Sequence, residues 1–480
     1  MLSVIDSGGK ILSKNSKTSE IKKYAPYLGY GIGAVGLDLS YGLFYGYLSK
    51  YLTDVLLMPA LFLLILTPIA RIWDGINDPL MGTIVDSTRM KMGKYRPWIL
   101  IGAFSNAIVL SLLFTNPGLK IGSVSLYVYV AIMYILWGMT NTMADIPYWS
   151  MVPSFTNDPK ERNMISTIAR TFSGIGQGII TIFTPFALVW LGTGANDAEK
   201  KMSAQGFNRW AIICAVLLVV FATICALVTK EKRVVYNPDK FSFKKLFDVL
   251  KTNDQLIVFM LFAMISNAGW YLTTSVGVYY FENVEGDIKK QSLFATFGAI
   301  GSFLGLFVIP LMSKKFTRRQ IYQFCLLMTI IGYCVMIICG PILHNMMLLN
   351  IAYIIASIGI ASMFVNQTIM LADIVDYGEY KTGKRQESTT FSMKGFLQKM
   401  AYTIQTFILY IGLGASKYNG EVKVQSVAAQ NTISIMTFVI PPILMIISLI
   451  VFSKKYKLYG ELSDKVNVFI TKKRNEIESE

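Results

Sequence analysis

Twelve stretches of this sequence are almost continuously apolar, and polar or charged residues gather in the short segments between them. The runs cover roughly residues 25–50, 58–85, 97–115, 123–150, 165–192, 209–229, 255–281, 291–312, 320–340, 346–372, 392–416 and 429–453. An α-helix crosses the hydrocarbon layer with about 20 mostly apolar residues. None of the runs alternates polar and apolar positions in the short repeats of an outer-membrane strand, which excludes a β-barrel. The pattern predicts an all-α membrane protein with twelve transmembrane helices.

The segments between the runs set the orientation, because cytoplasmic loops collect Lys and Arg. Arg89, Lys91, Lys94 and Arg96 lie between the second and third runs. Lys314, Lys315, Arg318 and Arg319 follow the eighth, and Lys381, Lys384 and Arg385 follow the tenth. The central connection carries Lys230, Lys232, Arg233, Lys240, Lys244, Lys245 and Lys251. Opposite segments are poorer and mixed, as in Asp197, Glu199, Lys200 and Lys201. Both termini and the central loop are therefore expected in the cytoplasm.

This divides the chain into a tail (1–24), a six-helix bundle (25–229), a central loop (230–254), a second six-helix bundle (255–453) and a C-terminal tail (454–480). Two such halves are the layout of many secondary transporters. Ala144-Asp145-Ile146 and Ala372-Asp373-Ile374 end the fourth and tenth runs, an echo that fits either duplication or coincidence. Residues 1–24 hold five lysines but no apolar core with a small-residue cleavage site, so they read as a tail and not as a signal peptide.

Composition then removes other classes. The chain has 480 residues, 53% hydrophobic and only 15% charged, against about 25% charged in soluble domains. Its 45 Lys+Arg and 29 Asp+Glu leave a net charge of +16. A nucleic-acid binder is basic and hydrophilic, whereas the mean hydropathy here is +0.49. Soluble globular and DNA-binding proteins are both excluded. Cys214, Cys225, Cys325, Cys334 and Cys339 lie in apolar runs with no C-x-x-C pair, and His344 is the single histidine. Structural zinc, a disulfide framework and Cys–His catalysis do not fit this pattern; small apolar fillers do. No phosphate-cradling G-x-x-x-x-G-K-[ST] loop occurs, so ATP is not the expected direct energy source.

The candidate chemistry lies in charges placed inside apolar runs. A carboxylate at the bilayer centre costs about 2.5–3.5 kcal/mol, which makes each one a functional-site hypothesis. Asp38 sits in the first run, and the second reads Arg71-Ile-Trp-Asp74-Gly-Ile-Asn-Asp78-Pro79. Asp74 and Asp78, four apart, share a helix face about 6 Å apart. They repel unless one is protonated or a cation sits between them. Thr142 and Asp145 add oxygens on one face of the fourth run. This oxygen-rich set suits a hard cation such as Na⁺, or a proton. A structural ion-pair network of Asp74 and Asp78 with Arg71 and Lys399 is the other reading, and the two can coexist. Trp149 lies one turn beyond Asp145, and Tyr41 and Tyr45 lie beyond Asp38. Aromatic rings with carboxylates suit a sugar's C–H face and hydroxyls, though aromatic residues also serve packing. Arg170 fits either a cavity lining or an interface position.

These residues resemble a known family. Trp73-Asp74-Gly75-Ile76-Asn77-Asp78-Pro79, followed by Gly93-Lys94-Tyr95-Arg96-Pro97-Trp98, is similar to the hallmark of the glycoside–pentoside–hexuronide:cation symporters, of which melibiose permease is the best-known member. Asp145-Ile-Pro-Tyr-Trp149 with Val152-Pro153, and Asp373-Ile-Val-Asp376-Tyr-Gly-Glu379 with Lys384, Arg385 and Glu387, extend the resemblance over about residues 27–453. It implies the major facilitator fold. It also implies cation-site roles for Asp74 and Asp78, with Thr142 a further ligand. Asp38, Asp145, Trp149 and Arg170 match sugar-cavity residues, and Lys399, also a sugar-binding candidate, matches the eleventh-helix lysine linked to the cation site. Arg162, Asp373, Asp376 and Arg385 resemble a charged cytoplasmic gate. Asp86 with Arg89 through Arg96 resembles the superfamily's second-to-third loop motif, with extra spacing. Leu37 and Lys394 depart from melibiose permease, which has a basic residue and a neutral amide there, so melibiose itself is not the expected sugar. Lys394 fits either a uronate partner or a basic helix end.

The combined expectation is a secondary active transporter in a bacterial plasma membrane, not an enzyme. It would bring a sugar in with Na⁺, Li⁺ or H⁺ by alternating access. No cofactor and no nucleic-acid partner is expected; sugar, coupling cation and membrane lipids are. A carrier of a lipid-like substrate and a non-transporting sugar sensor are the competing classes. The compact loops and the short tail after residue 453 speak against them.

Overall fold

The computed structural model describes residues 14–156, 159–201, 203–231, 250–383, 387–422 and 424–479. Among them the backbone is helical, and the one extended pairing is an isolated bridge between Met90 and Gly93. A helix satisfies its own N–H and C=O groups where no water can do so. The first half contains α1 (Lys14–Lys50), α2 (Ala60–Ser87), α3 (Arg96–Leu113), α4 (Val124–Ser150), α5 (Pro159–Leu191) and α6 (Ala204–Val228). The second contains α7 (Asp254–Asn283), α8 (Lys289–Met312), α9 (Arg318–Ile342), α10 (Met346–Thr382), α11 (Glu387–Ala415) and α12 (Val427–Lys455), followed by α13 (Glu461–Ser479).

Each of the twelve predicted runs overlaps one of α1 to α12. Ten of these, α2 to α10 and α12, are long and apolar enough to cross a membrane. The edges differ from the sequence reading. α1 starts at Lys14, well before the first apolar run. α10 continues past its apolar run through Asp373 and Asp376 to Thr382, where Gly383 at φ +71° closes it in the left-handed region that glycine favours. The C-terminal tail forms a further helix, α13. Its Val466 and Ile470 are buried, and Lys473 donates to Glu379 at 2.7 Å and to the Gly383 carbonyl at 3.0 Å. A scan for long apolar runs passes over such an amphipathic helix. Most of the predicted central loop falls outside the described residues.

The chain forms two compact units. The first comprises Met1–Leu48, Ile76–Ile180 and Ala187–Lys240; the second comprises Ser49–Gly75, Thr181–Phe186 and Phe241–Glu480. The end of α1 and the first half of α2 thus belong to the same unit as the C-terminal half of the sequence.

In the first unit, α1 and α4 are joined by a reciprocal pair. The Tyr30 hydroxyl donates to the Tyr148 carbonyl and the Tyr148 hydroxyl to the Tyr30 carbonyl, each at 2.7 Å, and the rings stack at 4.3 Å. Phe44 stacks on Trp137 at 3.5 Å, and the Trp137 indole donates to Ser40. α3 and α4 approach so closely at Gly102 that a Cβ there would stand 2.4 Å from the Ala144 nitrogen. Small residues permit such contacts in membrane bundles. The start of α3 is capped from the central connection. The Glu231 carboxylate accepts from the backbone N–H groups of Lys94, Tyr95 and Arg96 at 2.7, 2.9 and 3.0 Å, which places an anion at a helix N-terminus. Beside it, Lys94 pairs with Asp86 at 2.7 Å. Burial alone lowers the Lys94 pKa, but the bond to Asp86 leads the groups that outweigh it and hold the ammonium above its ordinary value.

In the second unit, Phe262, Tyr322, Phe452 and Tyr456 form an aromatic core. Next to it, Gln367 donates to Asn267 at 3.2 Å and to the Tyr322 hydroxyl at 3.2 Å.

Candidate functional site

The carboxylates predicted from the sequence acquire distinct surroundings. In the first unit, α1 brings Asp38 opposite α5, where the Gln177 amide donates to it at 2.8 Å and the Ser173 side chain is a second hydrogen-bond partner. Arg170, Ser173 and Gln177 are spaced three and four apart, so α5 turns all three to one side. On α4, the Trp149 indole N–H donates to Asp145 at 2.9 Å, as their four-residue spacing allows. The Arg170 guanidinium lies over the Trp149 ring, 3.9 Å from its centroid. Arg170 is therefore stacked on an aromatic face, a geometry that suits its planar, weakly hydrated charge. Asp145 and Arg170 both act electrostatically on Asp38. The reciprocal Tyr30–Tyr148 bonds fix the two helices that present Asp38 and Trp149.

Tyr41 and Tyr45 lie at an aromatic cluster. Their ring centroids are 4.3 Å apart, and those of Tyr45 and Trp137 are 5.8 Å apart.

The two α2 carboxylates differ. Asp78 accepts from the Thr142 hydroxyl at 2.9 Å within the first unit. Asp74, in the second unit, pairs with Arg71 at 2.7 Å and has the Lys399 ammonium at 3.8 Å. An ion-pair network is thus present at Asp74. The hydroxyl on Asp78 is the type of neutral oxygen that a hard cation uses alongside a carboxylate. Lys394 donates to the Thr368 hydroxyl at 2.8 Å.

The predicted cytoplasmic gate is only partly described. Arg162 donates to the Thr156 carbonyl at 2.8 Å. Asp373 is paired with Arg318, a residue that the sequence reading had used only to orient the loops. Asp376 lies in the last turns of α10. Arg385 lies outside the described residues, as does Lys384.

Sequence reasoning missed Ser173 and Gln177, although their spacing from Arg170 was a usable signal. It also missed a buried cluster of Lys50, Asp54 and Glu282. Lys50 ends the first apolar run and Glu282 follows the seventh, margins where charge draws no notice.

Comparison with known proteins places this architecture. The sequence model of the family described as MFS/sugar transport protein matches residues 29–459. The chain belongs to this family. Among its relatives, the raffinose carrier protein of Pediococcus pentosaceus is 30% identical over 90% of this chain and 69% of its own length. A lactose permease of Lactobacillus delbrueckii subsp. bulgaricus is 27% identical over 92% of this chain and 71% of its own. The isoprimeverose transporter of Lactiplantibacillus pentosus is 28% identical over 86% of this chain and 84% of its own. Of solved structures, the nucleoside transporter NupG superposes with a TM-score of 0.63 at 12% identity, covering 91% of this chain and 100% of that one. The D-xylose-proton symporter gives 0.64 at 13% identity, covering 92% and 98%. These two show the fold. Membership in the MFS/sugar transport family makes the chain a multi-pass membrane transporter and not an enzyme, with relatives among bacterial glycoside–pentoside–hexuronide symporters.

Proposed function

We propose that the chain is a cation-coupled glycoside symporter that works by alternating access, with both termini in the cytoplasm. The observation that carries this reading is the set of aspartates held within apolar helices: Asp38, Asp74, Asp78 and Asp145. Four carboxylates in such segments are costly unless they bind something. The names of the raffinose, lactose and isoprimeverose relatives support a glycoside as the cargo.

In this proposal the sugar's hydroxyls donate to Asp38 and Asp145, because ionised carboxylates only accept. The Trp149 ring takes an apolar sugar face, and Arg170 covers its other face and supplies donors. Na⁺, Li⁺ or H⁺ binds at Asp78 with Thr142, and Asp74 on the same helix is the second carboxylate of the coupling chemistry. Lys399 then acts as an internal substitute, neutralising Asp74 when the coupling ion is gone. Binding of each ligand raises the affinity for the other by the same factor, as linkage requires. A carrier loaded with one ligand alone keeps an uncompensated charge and does not cross.

The test is uptake of labelled galactosides, xylosides and glucuronides into membrane vesicles, each with and without a Na⁺ or proton gradient. Gradient-stimulated accumulation of one class is expected. Uptake of all three that no cation gradient changes refutes the coupling.

A further inference from the structure

Within the second unit, α7, α10 and α11 line a small cavity with Asn267, Phe364, Gln367, Lys394, Leu397 and Gln398. Phe364 and Gln367 are three apart on α10, and Lys394 and Gln398 are four apart on α11, so each pair shares a helix face. On sequence alone, Lys394 fits a uronate partner or a basic helix end. α11 begins at Glu387, which puts Lys394 about two turns inside the helix and not at its end.

The amides on this wall are buried but not fully used. Asn267 is 1% exposed and Gln367 is 5% exposed. The Gln367 amide nitrogen donates to the Asn267 side-chain oxygen at 3.2 Å, to the Tyr322 hydroxyl at 3.2 Å and to the Ser266 hydroxyl at 3.4 Å. Three acceptors around one nitrogen fix which way both amides point. Among the described residues, no hydrogen bond takes up the Gln367 carbonyl oxygen or the Asn267 amide nitrogen. Buried polar groups nearly always have partners. A spare acceptor and a spare donor on one cavity wall therefore point to a ligand. The Thr368 hydroxyl accepts from the Lys394 ammonium at 2.8 Å and steers it, using one of its three protons.

The donor set selects the ligand's chemistry. A carboxylate only accepts hydrogen bonds, and a charged donor strengthens them. Lys394 and the Asn267 nitrogen suit such a group better than they suit a neutral hydroxymethyl. The Gln367 oxygen needs a donor, which a sugar hydroxyl supplies, and Phe364 offers apolar surface to a C–H face. A hexuronic acid combines all three: a carboxylate where a neutral hexose has its hydroxymethyl, a hydroxyl on the neighbouring ring carbon, and an apolar face. We propose that this cavity is a subsite for the carboxylate of a uronide, so that the chain carries glycosides of a hexuronic acid, with Lys394, Asn267 and Gln367 as specificity-determining residues. This names the cargo of the symporter reading and rests on it.

The test is isothermal titration of the purified full-length protein in Na⁺-containing buffer with two matched pairs: methyl glucuronide against methyl glucoside, and methyl galacturonide against methyl galactoside. In one pair the uronide is expected to bind about tenfold or more tighter than its neutral partner. Lys394→Gln is expected to erase that preference by lowering uronide affinity about tenfold, a usual loss for a hydrogen bond to a charged group. Lys394→Arg keeps the charge and is expected to keep part of the preference. Asn267→Asp replaces a donor with a second carboxylate and is expected to weaken the uronide more than its neutral partner. Equal affinities within both pairs, or a preference that survives in Lys394→Gln, overturn the anion subsite while a glycoside symporter still stands. No binding of any of the four glycosides overturns the symporter reading and this inference together.

Discussion

Lys50 and Lys399 each meet an aspartate in the second unit, and they do so in opposite proportions. Lys50 is one ammonium between two carboxylates, Asp54 and Glu282, with its side chain 1% exposed. Lys399 is one of two cations at Asp74, stands 3.8 Å away and is 21% exposed. A carboxylate that already has Arg71 at 2.7 Å loses less when its second, looser cation leaves. An ammonium held by two carboxylates cannot leave without stranding charge. The first arrangement suits a fastening, and the second suits a group that changes places with a small ion. On the proposed symporter reading, the difference teaches that buried charge can serve two uses, separable by stoichiometry and tightness.

The comparison can be broken most severely at the aspartates. Asp74→Cys and Asp78→Cys are each expected to abolish cation-stimulated uptake while the protein still reaches the membrane, as read by vesicle uptake and immunoblot. Normal Na⁺ or Li⁺ stimulation in both variants removes the exchange site. Next in size, Lys50→Glu places three carboxylates together and is expected to cut uptake by more than about tenfold, because an unpaired buried charge costs several kcal/mol. Adding Glu282→Lys should recover most of that loss; an equal loss in the double variant denies the pairing.

Smaller effects sharpen the contrast from the sugar side. Trp149→Ala is expected to weaken sugar binding about three- to tenfold, in line with about 0.5–1.5 kcal/mol for an aromatic stacking contact. The Na⁺ concentration for half-maximal stimulation should stay unchanged; equal shifts in both constants place Trp149 outside the sugar site. Gln177→Ala removes one neutral donor from Asp38 and is expected to weaken sugar binding only a few-fold, since such a bond contributes about 0.5–1.5 kcal/mol. Isothermal titration measures both variants, and an unaltered affinity in Gln177→Ala separates Asp38 from sugar binding.

Much of the helical plan was legible because hydrocarbon thickness imposes a length on every span. Asp38, Asp74, Asp78 and Asp145 stood out for the same reason: a charge in an apolar run has no bland explanation in composition. Their partners were harder to read. Gln177 and Ser173 are neutral residues that only the α5 face relates to Arg170. The Lys50–Glu282 pair joins positions 232 residues apart at the margins of two runs, where charge is ordinary. α13 escaped because amphipathic helices leave no long apolar signature, only Leu462, Val466 and Ile470 at four-residue intervals. Arg318 entered the sequence reading as topology, and its pairing with Asp373 depends on how α9 and α10 lie together, which no local pattern records.

The crossed tyrosines of α1 and α4 carry a mechanical consequence. Each hydroxyl is tied to the other residue's own main chain, so neither helix can slide or roll without losing both ties at once. In the proposed transport cycle, Asp38 and Trp149 would travel as parts of one stiff jaw, and a sugar bound there would be carried by a surface that keeps its shape.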